Sequence, residues 1–301
     1  MTIAKNQHFL PKFYLRNFVD PDTPAGQEPF LWVFDLSTHE WRRRSPKNIA
    51  ALRYYYAYRD ESDQLVNLLE PAFNKVETQG AILIRKLQDN VRLTLEEQVI
   101  FSSFVALLTV RTPQHRELTK RYAESSGQDV INDFIQNLVE NPDKFEAARR
   151  RHEEKTGHSI DLNHLKQNPP SLKPNEAGIL TYSIIPFKAL TERLMGMTWR
   201  FYFTENEDKL IICDHPCDLA YPEDITEESF RGFFTEGIEF HVPLTPNLIF
   251  TAYDGGFDRA SGGLLSREDV TGLNSRMAHR AEQFVVSTKP TFLGDTVLEG
   301  L

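Results

Sequence analysis

Thr94-Leu95-Glu96-Glu97-Gln98-Val99-Ile100-Phe101-Ser102-Ser103-Phe104-Val105-Ala106-Leu107-Leu108 carries its own start signal and a nearly continuous apolar body. Thr94 and Glu97 have the spacing of a capping box, in which each side chain bonds the other residue's amide. Val99, Phe101, Phe104, Val105, Leu107 and Leu108 then predict a helix apolar enough to be the centre of a core. Upstream, from Asp63, the residues Leu65, Leu68, Leu69, Ala72, Phe73, Val76, Ile82, Leu83 and Leu87 keep one helical face apolar, with Pro71 marking a kink or a helix start. Downstream, Arg111-Thr112-Pro113 ends the central helix and opens another. Residues 126–175 are polar, with helical pieces at Val130–Leu138 and Pro142–Glu154 and a loop at Asn168-Pro169-Pro170-Ser171, and a further helix runs from Asn175 to about Met195.

The pattern changes at both ends of the chain. Pro11 suits a first helical turn, with Phe13, Tyr14, Leu15 and Phe18 as the apolar stripe behind it. Phe30–Phe34 reads as a strand with Glu40–Arg43 as its hairpin partner, and Arg53–Tyr58 as a third short strand. In the last third, Trp199–Thr204, Leu210–Cys213, Glu239–Val242 and Leu248–Ala252 read as strands, and Arg267–Val286 as a closing helix. Strands, then helices, then strands predict an α+β fold: a central long-helix bundle, short N-terminal strands and a C-terminal antiparallel or mixed sheet. The expected organisation is one domain over 1–301, divided into 1–60, a helical region at 61–198 with the polar insert near 126–175, and 199–301.

Composition narrows the function classes. The 301 residues carry a net charge of −9, from 34 basic against 43 acidic side chains, which disfavours indiscriminate binding to nucleic acid. The two basic clusters are Arg42-Arg43-Arg44 with Lys47, and Arg149-Arg150-Arg151-His152; acids interleaved around the second suit a solvated helix face. No run reaches the roughly 18 to 20 apolar residues of a membrane span, and MTIAKNQHFLPKF has no secretory h-region, so a cytoplasmic location is expected. Two cysteines, Cys213 and Cys217, make no disulfide framework. Neither Asp254-Gly255-Gly256 nor Ser261-Gly262-Gly263 has the arrangement of a phosphate-cradling loop, and no Gly-x-Ser-x-Gly elbow is present.

Gln7-His8-Phe9-Leu10-Pro11, followed by Leu15 and Phe18 at helical spacing, resembles the opening of a bacterial domain family of unknown function, DUF4238. Glu70, Arg111-Thr112-Pro113, Asp214-His215-Pro216, Pro243-Leu244-Thr245-Pro246 and Asn274 extend the resemblance, in order, over nearly the whole chain. The resemblance implies a family without implying a reaction.

Each candidate residue is open to a functional and a structural reading. His8, just ahead of a helix, suits a metal ligand or general base, or a partner for a backbone carbonyl. Asp214 follows a strand, where a loop presents a carboxylate to a cleft or forms an Asx-turn. Glu70, Asn74 and Glu77 share a helical face, as an inward polar site or a solvated surface requires. Arg111 suits an anion clamp or a helix C-terminal cap. Cys213, His215 and Cys217 are ligand types for zinc, and also ordinary buried residues. Asp214 with Glu239 and His241 loosely matches the carboxylates of metal-dependent nucleases, with histidine in place of lysine.

Two functions follow as expectations. One is a metal-assisted hydrolase acting on a phosphodiester or nucleotide, with His8, Glu70 and Asp214 catalytic or holding a divalent metal, and Gln7, Arg111 and Asn274 binding ligand or anion. The other is a non-catalytic sensor, adaptor or ligand-binding protein in which the same residues hold the fold together.

Overall fold

Thr94 caps its helix as its spacing requires: its hydroxyl accepts the Glu97 amide at 3.3 Å, and the Glu97 carboxylate accepts the Thr94 amide at 2.8 Å. The computed structural model describes residues 3–60, 62–67, 69–171, 173–205, 207–223, 225, 232–255 and 259–290. In order it contains β1 (Asn6–His8), α1 (Lys12–Arg16), β2 (Leu31–Asp35), β3 (Glu40–Arg44), β4 (Ala51–Arg53), β5 (Tyr58–Arg59) and β6 (Leu65–Val66). The helices α2 (Leu69–Gln88), α3 (Leu95–Val110), α4 (Pro113–Glu140), α5 (Pro142–Thr156), α6 (Leu162–Gln167), α7 (Glu176–Ile184) and α8 (Pro186–Gly196) follow. The chain closes with β7 (Thr198–Phe203), β8 (Ile212–Cys213), β9 (Asp218–Ala220), β10 (Glu239–Thr245), β11 (Leu248–Tyr253), β12 (Arg259–Leu264), α9 (Arg267–His279) and β13 (Phe284–Ser287). The fold is α+β. Two compact units compose it, one of Met1–His115 with Ser183–Leu301 and one of Arg116–Tyr182.

In the first unit, α3 is buried along its whole C-terminal half, from Phe104 to Val110, and packs against α2 and α8. The approach of α2 is close because Gly80 faces Phe104: a Cβ at Gly80 would lie 2.7 Å from the Phe104 ring. Phe13 and Tyr14 of α1 reach the same ring, at 5.5 and 6.3 Å between centroids. A five-stranded mixed sheet, ordered β12-β7-β11-β10-β9 with only β12 parallel to its neighbour, supplies Trp199, Phe201 and Phe250 against Phe101. Tyr14 donates its hydroxyl to the Pro243 carbonyl at 2.6 Å and Asn17 its amide to Leu244 at 3.0 Å, which ties α1 to β10.

An antiparallel four-stranded sheet, β3-β2-β13-β8, joins the N-terminal hairpin to the C-terminal strands. The ribbons β1-β4 and β5-β6 complete the strands. In the second unit, Asp161 caps α6 by accepting the Asn163 amide at 2.8 Å, and Gly157 ends α5 in the left-handed conformation at φ 73°. Arg116 and Glu176 form an ion pair of 2.6 Å there.

The sequence reading is corrected at four places. The predicted strand Arg53–Tyr58 is a turn at Tyr54–Tyr56 between β4 and β5, with Tyr54 at φ 53°, because Tyr55 and Tyr56 turn inward into aromatic contacts. The helix expected from Asp63 begins at Leu69, after β6 pairs with β5, and Pro71 lies in its first turn. The helix expected over Asn175–Met195 is two, because Pro186 opens α8 at its first turn. The closing helix stops at His279, and Phe284–Ser287 is instead β13 at the centre of a sheet. Among the described residues, no helix is long and apolar enough to cross a membrane.

Candidate functional site

The strand β1 places Gln7 inward and His8 beside a cleft of about 540 Å³ that α1, α2 and the end of α3 enclose. Glu70, Asn74 and Glu77, spaced by helical turns on α2, face this one cleft. Gln7 is wholly buried and fully engaged: its Oε1 accepts the Tyr56 amide at 2.6 Å, and its Nε2 donates to Glu70 at 3.1 Å. Glu70 also accepts the Asn67 side-chain amide at 2.7 Å.

Arg111 is the C-cap residue of α3, its amide donating to the Leu107 carbonyl at 3.3 Å, while its side chain turns to other elements. Its guanidinium, 3 % exposed, donates to Glu77 at 2.5 Å, to the Tyr56 hydroxyl at 3.0 Å and to the His8 carbonyl. Its plane lies 5.5 Å from the centroids of both the Tyr56 and Phe73 rings. Arg111 thus binds α2, α3 and β1 into one wall of the cleft.

His8 is different, because its imidazole Nε2 is buried without a hydrogen-bond partner. Burial pushes this imidazole down to about 4, Lys12 and Arg111 add to the effect, and the Lys47 and Pro46 backbone opposes it. At neutral pH the ring is uncharged. The remaining cations on the cleft are Lys12, Arg16 and Arg85, and none forms an ion pair among the described residues. Glu77 is taken by Arg111, and Glu70 accepts only from the neutral amides of Gln7 and Asn67, so Lys12, Arg16 and Arg85 stand against one carboxylate charge and the cleft stays net positive in a chain of net charge −9.

Asp214 and Asn274 lie outside this cleft. Asp214 is wholly buried after β8, where its two carboxylate oxygens accept the amides of Glu282 and Gln283, each at 3.1 Å. Burial raises it to about 6, against those backbone donors. Asn274 on α9 accepts the Ile211 amide at 3.0 Å and donates to the Lys209 carbonyl at 2.8 Å. It staples the helix to the segment entering β8. The expected gathering of His8, Glu70 and Asp214 around one ion does not occur: among the described residues, the group able to share an ion is Asp214 with His215 and Glu282. The α3–α2 packing that builds the cleft and the α9–β13 corner that holds Asp214 are separate features of the unit.

The cysteines are not ligands of that group. Cys213 contacts the His215 backbone, and Cys217 accepts the Thr109 hydroxyl at 3.1 Å; burial pushes the Cys213 thiol well up and that of Cys217 to about 12. Glu239 and His241 do meet, 3.3 Å apart, in a second cleft of about 500 Å³ with Thr251 and Arg276, and Asp214 does not line it. The basic clusters are engaged locally: Arg42 pairs with Glu40 at 2.8 Å, Lys47 with Glu28 at 2.7 Å, Arg149 with Glu146 at 2.7 Å, and Arg43 lies over Phe30 and Trp32.

The family model described as protein of unknown function (DUF4238) matches residues 6–291. The chain belongs to DUF4238. No curated protein and no solved structure matches it. In this DUF4238 chain, Gln7, Arg111, Asp214 and Asn274 all have protein partners, whereas His8 Nε2 has none.

Sequence reasoning passed over Lys12, Arg16 and Arg85. The first two lie four residues apart on α1, a spacing that puts both on one face directly after the Gln7-His8 pair. Tyr56, which donates its amide to Gln7 and accepts from Arg111 at its hydroxyl, carried no signal beyond its place in an aromatic run.

Two predictions arise here. Asn274→Ala removes both partners of a buried staple and should lower the unfolding free energy by about 2 kcal/mol, read by urea denaturation. The histidines set an acid sensitivity. His8 and His215 are held near 4, below the ordinary 6.5, so the unfolded chain takes up their protons first and stability falls from pH 6.5 down to about 4. Asp214, raised from 3.8 to about 6, acts oppositely: its contribution is full below 3.8 and is lost as pH rises through 6. Two groups outweigh one, and His115, also lowered by burial, adds to them, so the urea midpoint of the metal-free chain should drop between pH 6.5 and 4.5, and a flat midpoint there would contradict these environments.

Proposed function

We propose that this DUF4238 chain is a cytoplasmic, non-catalytic ligand-binding protein whose α1–α2 cleft receives a small anion, with phosphorylated compounds such as nucleotides as the class. The observation that carries this reading is the set of unpaired cations Lys12, Arg16 and Arg85 around the neutral, partnerless Nε2 of His8. Arginine and lysine at a cleft mouth are suited to phosphate, and an uncharged imidazole accepts or donates one hydrogen bond according to tautomer. The cleft volume of about 540 Å³ suits a small molecule. Nucleic acid fits poorly, because the net charge is −9 and Arg42, Lys47 and Arg149 of the two basic clusters are paired with Glu40, Glu28 and Glu146. Both cysteines are free and buried, in keeping with a reducing compartment.

The metal-assisted hydrolase remains a second reading, favoured by one observation: His8 Nε2 is the open ligand or base atom in the cleft. Bonding of Gln7, Arg111 and Asn274 to protein groups favours the binding reading over it.

A thermal-shift panel tests the proposal. ADP, AMP and inorganic phosphate should raise the melting midpoint while adenosine does not, since a ligand at 100 times its Kd adds about 2.7 kcal/mol. No shift with any phosphorylated member would overturn it. Turnover of a phosphodiester, lost in His8→Ala with the fold retained, would replace it by the hydrolase reading.

A further inference from the structure

At the corner between β8 and β13, Asp214, His215 and Glu282 bring two carboxylates and an imidazole together, although 67 residues separate His215 from Glu282. One ligand atom from each lies within 4.8 Å of the others. Donors that share one ion at about 2.0 to 2.4 Å are at most about 4.8 Å apart, so the group closes on an ion with small side-chain adjustment. His215 supplies the independent sign. It is 3 % exposed, yet both its ring nitrogens are buried without a hydrogen-bond partner, and Nε2 lies 3.7 Å from Asp214 Oδ2. A buried imidazole with no partner is costly unless something else bonds it.

The surroundings suit a metal ligand set. The Asp214 carboxylate is oriented by the Glu282 and Gln283 amides, one per oxygen, and each oxygen keeps a second lone pair. Glu282 is exposed and holds Gln114 at 3.0 Å through Oε1, which gives the group an open side toward solvent. The neighbouring Arg280 faces Asp218 at 3.6 Å and shares that carboxylate with Arg276, which donates to it at 2.9 Å.

We propose that Asp214, His215 and Glu282 form a binding site for one divalent first-row transition ion such as Zn²⁺ or Mn²⁺. One nitrogen and two oxygen donors match such ions, and three protein ligands leave a coordination position for water. The site pins the α9–β13 corner to the end of β8. It does not depend on the anion cleft.

Equilibrium dialysis of the untagged full chain against Zn²⁺, Mn²⁺ and Co²⁺, with bound metal counted by mass spectrometry, tests the site. One ion per chain is expected, and Glu282→Gln, an exposed substitution that leaves the fold intact, should weaken binding about tenfold or more. His215→Ala should do the same. Should His215→Ala fail to fold, Glu282→Gln decides alone. The Co²⁺ form should show a ligand-field spectrum without thiolate charge transfer. No stoichiometric ion, unchanged binding in Glu282→Gln, or a thiolate band that moves the ion to Cys213 or Cys217 would each overturn the proposal.

Discussion

Arg111→Ala is expected to lower the unfolding free energy by about 3–5 kcal/mol, the range for removing one member of a buried charged pair. The loss has three sources. Glu77 loses its counterion, and the Tyr56 hydroxyl and the His8 carbonyl lose their donors in the wall between α2, α3 and β1. An unsatisfied buried polar group costs about 1–3 kcal/mol, although Glu77 is 18 % exposed and recovers part of its share from water. Arg111→Lys should fall between alanine and the parent, because an ammonium keeps the charge but cannot span three acceptors or lie flat against Tyr56 and Phe73. Urea unfolding followed by circular dichroism reads both variants. A loss below about 1 kcal/mol for Arg111→Ala would mean that the network is not stabilising.

Trp199→Ala should be comparably severe, at about 3–5 kcal/mol. Its indole is 1 % exposed, lies edge-on to Phe101 and Phe250 at 5.7 and 5.3 Å, and donates Nε1 to the Leu194 carbonyl at 2.8 Å. Alanine leaves a cavity where α3, α8 and the five-stranded sheet meet, and leaves the Leu194 carbonyl with the Met197 amide alone as donor. Trp199→Phe keeps most of the ring volume and should cost less. If alanine and phenylalanine were equally tolerated, the ring cluster would not be the core of this unit.

What could be read from the sequence was what neighbours in the chain decide. The Thr94–Glu97 capping box and the hairpin of Phe30–Phe34 with Glu40–Arg43 are local devices, and both occur in the structure. Phe284–Ser287 is the opposite case. Its four residues follow a helix without a strong turn signal, and its partners β2 and β8 lie about 250 and 70 residues away, so only tertiary pairing makes it a strand. The same distinction runs through the candidate site. The α2 periodicity brought Glu70, Asn74 and Glu77 to one face, as their spacing required. That Gln7 would bond Glu70, or that the Arg111 side chain would reach back to His8, depends on contacts 63 and 103 residues apart. Asp214 was legible as a carboxylate after a strand, but its companions His215 and Glu282 are joined only by the α9–β13 corner.

Arg111 neutralises Glu77 and the uncharged Gln7 amide holds Glu70, so Lys12, Arg16 and Arg85 outnumber the one remaining acid charge and are free to act on a ligand. Because the exposed cations contribute little to the fold, they can be reversed without unfolding the chain. The most direct measurement is therefore a calorimetric titration of ADP into the parent and into a Lys12→Glu, Arg85→Glu double variant at one ionic strength. The account predicts one saturable site in the parent, weakened more than about tenfold in a variant whose melting midpoint is unchanged. Equal affinity in both proteins, or no saturable binding to the parent, would contradict it.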